Sequence, residues 1–235
     1  MELTKRQINW LNKRTEGTWS LNPQTGLVDV KGSFNCLTTP ESIDKGIGPV
    51  CLDRMLSGSV KILKDLNLWK LKNFKGVRFG VITGDFDCRW NSLTTLEGAP
   101  QKVGGYFWCS GNSLTSLEGA PQKVEGSFYC NSNSLTTLEG APQKVGGNFY
   151  CYDNSLTTLE GAPQEVGGSF HCGDNPVPED VLEAIWSIMK DKKVPYLIAL
   201  GIYKKEVKEA IDSRLTEGIS EKALKGASLL GRVLS

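Results

Sequence analysis

A single histidine among 235 residues excludes most histidine-based metal centres and every multi-histidine catalytic scheme. No apolar run reaches the ~18 residues of a membrane-spanning helix. The polar start MELTKRQINW is not the charged-then-apolar build of a secretory signal. An excess of one charge sign is missing too: 27 Lys and Arg against 26 Asp and Glu leave +1, so no global polycation argues for a nucleic-acid or membrane partner. With 39% hydrophobic and 23% charged residues the chain still has the make-up of a folded globular protein. Its excess is glycine, 26 residues, and the glycines are periodic.

Cys88, Cys109, Cys130, Cys151 and Cys172 are spaced by 21 residues throughout. Phe86, Phe107, Phe128, Phe149 and Phe170 stand two residues before them, and Asn91, Asn112, Asn133, Asn154 and Asn175 three residues after. The segment N-S-L-T-x-L-E-G-A-P-Q opens at each of the first four asparagines. A fixed period of this size means stacked supersecondary units. In a short strand successive side chains alternate, so Phe107 and Cys109 face the core while Tyr106, Trp108 and Ser110 face out. Asn112 closes the strand, where stacked asparagines satisfy backbone groups at a buried turn. Leu114 and Leu117 turn inward, and Gly119 with Pro121 makes the return bend. No segment within a rung is long enough for an α-helix, so an irregular or polyproline-like convex side is expected.

The unit V-x-G-x-F-x-C-x-x-N-x-L-T-x-L resembles the short leucine-rich repeats of bacterial secreted effectors. It is similar still more closely to leucine-rich-repeat proteins of bacteriophage and bacterial genomes, whose repeats read L-T-S-L-E-G-A-P-x-x-V-G-G-x-F-x-C. The resemblance covers residues 77–176. It implies a fold and a habit of binding other molecules, and it suggests a phage-encoded inhibitor of a bacterial host protein, as in anti-defence. The expected fold class is therefore α/β: a leucine-rich-repeat solenoid whose short strands form a parallel sheet, between an N-terminal α+β cap (1–76) and a C-terminal helical cap (177–235).

Atypical flanks belong to a stacked array, whose ends must be covered. Thr4 and Gln7 form a capping box for a helix through Asn12, and Asn22–Gly26 centres a hairpin. V-K-G-S-F-N-C (30–36) fits the repeat and reads as an isolated first rung. Residues 37–76 read as an interruption of the array, with a helix within Ser59–Leu71. After Pro178 the apolar positions Val181, Leu182, Ile185, Ile188 and Met189 recur at helical spacing. Further helices are expected over 195–213 and 218–233. Capping of the last rung is the plain reading of these helices, and a separate effector function the alternative.

Charge is unevenly divided. Residues 1–80 carry 13 basic and 7 acidic side chains, residues 81–176 carry 4 and 10, and residues 177–235 carry 10 and 9. Much of the array's acidity is one column: Glu97, Glu118, Glu139 and Glu160. This column reads either as a solvated ridge or as a surface that steers basic partners and repels nucleic acid.

The five periodic cysteines share one inward column about 4.8 Å apart per rung. Parallel stacking does not present the crossed geometry of a disulfide, and no converging ligands suggest a metal, so they read as small buried hydrophobes. Free thiols and the polar start lead to an expectation of a cytoplasmic protein. The Gly-Gly pairs at 104–105, 146–147 and 167–168 precede strands, unlike phosphate loops. His171 lacks a nucleophile at a paired spacing. Neither a catalytic constellation nor a cofactor motif emerges, and the expectation is a non-enzymatic protein without cofactor or metal.

What varies among near-identical repeats is the outward face. Its central column is Asp87, Trp108, Tyr129, Tyr150 and His171. The column before it is Asp85, Tyr106, Ser127, Asn148 and Ser169, and the column after it Arg89, Ser110, Asn131, Tyr152 and Gly173. Exposure and β-propensity alone would allow such variation. Large aromatics beside Ser and Asn, however, match the composition of binding interfaces. The expected partner-binding residues are Asp85, Asp87, Arg89, Tyr106, Trp108, Tyr129, Asn131, Asn148, Tyr150, Tyr152 and His171, on a concave sheet face, with a macromolecular protein partner. The alternative is a nucleotide or nucleic acid stacked on the aromatic column; the acidity of the array weighs against a polyanion.

Overall fold

The structure, a computed structural model, describes residues 3–24, 28–37, 51–55, 60–63, 72–74, 78–192 and 196–216. Thr4 caps helix α1 (Lys5–Arg14). Its hydroxyl accepts the Gln7 N–H at 3.3 Å, and the Gln7 side chain accepts the Thr4 N–H at 2.8 Å, the expected reciprocal box. The helix buries Trp10 and Leu11, with Trp10 against Phe34 at 5.1 Å between ring centroids. Strands β1 (Thr15–Leu21) and β2 (Val28–Leu37) then pair antiparallel, from Thr15↔Phe34 to Leu21↔Val28. This is the expected hairpin; residues 25–27 of its turn lie outside the described residues.

Strand β2 sets the topology. Its first half pairs in parallel with β3 (Cys51–Met55) and its second half with β4 (Val60–Leu63). β3 leads on to β5 (Arg78–Ile82) and β4 to β6 (Phe86–Asp87). Two parallel ladders continue side by side from there. One runs from β5 through β7 (Lys102–Val103), β9 (Lys123–Val124), β11 (Lys144–Val145) and β13 (Glu165–Val166). The other runs from β6 through β8 (Phe107–Trp108), β10 (Phe128–Tyr129), β12 (Phe149–Tyr150) and β14 (Phe170–His171). The molecule is a parallel β-solenoid with 21-residue rungs and helices at its ends.

Three expectations fail here. The rung at 30–36 is not isolated, and among the described residues of 37–76, where an interruption was expected, β3 and β4 continue the array. Phe34, Val60 and Phe86 are in register but step by 26 residues, so a 21-residue alignment passes over the middle rung. Val60–Leu63 is a strand rather than part of the helix expected within Ser59–Leu71. The β-branched residues of V-K-I-L suit a pleated neighbour better than a helical turn; residues 64–71 lie outside the described residues. Finally, the return limb is not wholly irregular, since the Lys-Val pairs form the second ladder. Within the return limb, the stretch from each asparagine to the next glutamine lacks strands.

The core is built by repetition. Phe86, Phe107, Phe128 and Phe149 are fully buried. Together with Phe170 they stack at 5.1–5.4 Å, with ring planes within 15°. Beside them the buried thiols of Cys88, Cys109, Cys130 and Cys151 each donate to the carbonyl of the next rung's outward residue, at 3.3–3.4 Å. The asparagine column staples neighbouring rungs. Asn133 Nδ2 donates to Cys109 O at 3.1 Å and Cys130 O at 3.0 Å, while its Oδ1 accepts the Leu114 N–H at 3.1 Å. Asn112, Asn154 and Asn175 repeat the pattern. Backbone N–H groups within one rung donate in both directions along the stack: Phe107 forward to Ser127 O, and Gly104 backward to Ile82 O.

Helices α2 (Glu179–Lys192) and α3 (Tyr196–Thr216) follow the last rung where the apolar spacing placed them. Ile185, Ala199, Leu200, Tyr203 and Val207 are buried and belong to the same core cluster as the array. The helix expected over 218–233 lies outside the described residues.

Candidate functional site

Because β8, β10, β12 and β14 are in register, their outward residues stand one above another. The result is a continuous stack. Trp108 and Tyr129 lie 5.8 Å apart at 25°, Tyr129 and Tyr150 4.6 Å at 12°, and Tyr150 and His171 4.6 Å at 3°. At the other end the Arg89 guanidinium sits 5.0 Å above the Trp108 ring centre, a cation over an aromatic face. Asp87 holds it there: Arg89 Nε donates to Asp87 Oδ2 at 3.1 Å, and the Arg89 N–H to Asp87 Oδ1 at 3.2 Å. Tyr106 leans on the stack, 5.3 Å from Trp108, and Tyr152 meets Tyr150 edge-on at 6.4 Å.

The structure thus brings together Asp87, Arg89, Tyr106, Trp108, Tyr129, Tyr150, Tyr152 and His171. The other expected residues serve the scaffold as well as the face. Asp85 Oδ1 accepts the Tyr106 N–H at 2.8 Å. Asn148 Oδ1 accepts the Ser169 N–H at 2.8 Å. Asn131 is buried and accepts the buried Ser110 hydroxyl at 2.8 Å. In the column before the aromatics, then, side chains bond the backbone of the following rung.

Two positions of the ladder escape a 21-residue alignment. The register Asn35↔Lys61↔Asp87↔Trp108 carries it back to β2 and β4. The only signal in the sequence is the resemblance of 30–36 to the repeat, and the 26-residue steps hide the rest. Trp90 was also missed. It is 57% exposed and has φ +58°, a left-handed conformation that is costly for a bulky residue. The same position is Gly111, Ser132, Asp153 and Asp174 in later rungs, all with φ between +53° and +65°. The turn before each asparagine imposes this geometry on whatever residue stands there.

Burial raises the Tyr129 hydroxyl above the ordinary phenol range, and a hydrogen bond from Ser127 offsets part of that rise. The Cys88, Cys109, Cys130 and Cys151 thiols are pushed up by desolvation. Such groups are poor nucleophiles and poor metal ligands. The stack ends at His171, beside a cleft of about 1170 Å³ walled by Tyr152, Phe170, Leu182 and Ile198 among others.

Known protein families, curated proteins and solved structures offer no match to this chain. The surface therefore has to be read from its own chemistry.

Proposed function

We propose that the protein is a non-enzymatic binding module that captures a protein partner on the aromatic face of its solenoid. The observation that carries this reading is the ordered stack from Arg89 to His171. Rings held on both sides lose little freedom on binding, and rigid Tyr and Trp side chains are typical interface anchors. The leucine-rich-repeat resemblance adds a concave face and a bacterial host protein as the target of a phage-encoded inhibitor, and the free thiols add a cytoplasmic setting.

Nucleotide or nucleic-acid binding is the weaker reading, and a specific observation weakens it. Base stacking needs free ring faces, yet the faces of Trp108, Tyr129 and Tyr150 are turned to one another or to Arg89. Along the stack itself, edges and hydroxyl tips are left for a partner, together with the far face of His171, while Tyr106 and Tyr152 stand exposed beside it. Affinity capture from bacterial lysate, with and without nuclease, tests the proposal. A specific protein should survive nuclease and be lost on Trp108→Ala. Retention of that protein at full affinity by a Trp108→Ala/Tyr150→Ala double variant would sink the aromatic face as the binding surface.

A further inference from the structure

The hydrogen bonds on the aromatic face are polarised. Asn148 Oδ1 is committed to the Ser169 N–H, which fixes the orientation of its amide. Its Nδ2 therefore faces the Tyr150 oxygen, donating at 2.8 Å. A phenol oxygen that already receives a hydrogen bond keeps its own hydrogen for another acceptor. In the rung before, Ser127 Oγ likewise accepts a backbone N–H of the following rung, that of Asn148 at 2.9 Å. Burial further secures the proton on Tyr129.

Several acceptors nearby are already in use. Asp87 has both carboxylate oxygens on Arg89, Asp85 Oδ1 takes the Tyr106 N–H, and Asn131 Oδ1 takes the Ser110 hydroxyl. Along the stack the face offers donors: the Tyr129 and Tyr150 O–H groups and the Trp108 indole N–H. Aromatic edges, which carry the positive end of the ring quadrupole, surround them. The Glu97–Glu160 column lies on the turn beyond the inward leucines, away from this face; of the face's two carboxylates, Asp87 is paired with Arg89 and Asp85 is the other.

We infer that this face takes a partner-protein segment bearing acidic side chains, whose carboxylates accept hydrogen bonds from the Tyr129 and Tyr150 hydroxyls. The inference rests on the proposed protein-binding function and adds the chemistry of the partner. A carboxylate has two oxygens and about four lone-pair sites, so one group serves two hydroxyls on rings 4.6 Å apart. Bonds of this kind are charge-assisted and short.

The test is selection of random dodecapeptides displayed on phage, against the intact protein and two variants. Tyr129→Phe/Tyr150→Phe keeps every ring and removes only the hydroxyls. Trp108→Ala breaks the stack, and circular dichroism melts establish that both variants fold. The expected result is enrichment of Asp- and Glu-containing peptides on the wild type. Their affinity should fall roughly tenfold per hydroxyl in the Phe variant and should weaken as salt rises. Peptides that depend on Trp108 but are basic or apolar, or that bind the Phe variant equally well, overturn the acidic partner and leave the aromatic surface standing. Selection unaffected by Trp108→Ala, or no enrichment over an unrelated protein, overturns both. Tighter binding of a single-stranded oligonucleotide than of any selected peptide, lost in the Phe variant, assigns the donors to phosphate and likewise overturns the acidic peptide.

Discussion

A ring inside the array and a ring on its surface obey the same geometry, and this changes what a single substitution does. Phe128 is fully buried between Phe107 at 5.1 Å and Phe149 at 5.4 Å. Phe128→Ala should cost about 3–5 kcal/mol, because neighbours fixed by rung spacing cannot collapse into the cavity. Urea denaturation measures this, and an unchanged midpoint would contradict the inward register. Tyr129 looks, from alternation alone, like a surface residue whose loss costs about 0.5 kcal/mol. In the stack it has ring partners on both sides, each contact worth roughly 0.5–1.5 kcal/mol. Tyr129→Ala should therefore destabilise by about 1–3 kcal/mol, while Tyr129→Phe should stay within about 0.5 kcal/mol of wild type. Equal melting of the Ala and Phe variants would mean that the stack carries no stability. Binding and folding are consequently separable on this face only by substitutions that retain the ring.

At the scale of the element, two columns hold the rungs together, and both are testable. Removing Asn133 leaves Cys109 O, Cys130 O and the Leu114 N–H without their side-chain partner. Asn133→Ala should thus cost about 2–4 kcal/mol, more than an ordinary turn residue, since several partly buried backbone groups lose a partner at once. Chemical denaturation beside Ser134→Ala, which lies in the exposed neighbouring column, gives the comparison. The thiol column makes stability depend on alkaline pH. Buried Cys88, Cys109, Cys130 and Cys151 keep their protons well above the ordinary thiol range, whereas the unfolded chain releases them from about pH 8.5. Above that pH the folded state holds more protons than the unfolded one, so stability is full below it and falls as pH rises. The slope should approach about 1.4 kcal/mol per pH unit for each thiol. Replacing Cys109 and Cys130 by Ala should flatten it, and a slope unchanged in that variant would remove the thiols as its cause.

For the whole molecule, protection against hydrogen exchange should be graded. Amides at Phe107, Phe128 and Phe149, with a complete rung on each side, should exchange slowest. Those of the last rung, where Val166 and Phe170 are only partly buried, should exchange sooner. Uniform protection along the array would indicate that the ends are as well covered as the middle. The same architecture explains what could be read from the residues alone. Five rungs were legible because a 21-residue step repeats Phe, Cys and Asn without exception. The rung of β3 and β4 was not, because its neighbours lie 26 residues away and its strands carry neither Phe nor Asn. The Lys-Val ladder was hidden for another reason: two-residue strands are shorter than any window that reveals a period. Alternation placed Trp108, Tyr129 and Tyr150 on one face. It gave no sign that Asn148 orients the Tyr150 hydroxyl, since that requires Ser169 of the following rung to lock the amide first.

Because N–H groups in each rung donate forward and backward along the stack, their bond dipoles oppose one another along the solenoid axis. An α-helix accumulates dipole with every turn and needs compensating charge at its ends; this array gains almost none with each rung. Its length is therefore electrically unconstrained. A further 21-residue unit, inserted between the rungs of Cys130 and Cys151, should lengthen the molecule without a charge penalty at either end. The protein can change the reach of its aromatic surface by whole rungs while both of its ends stay as they are.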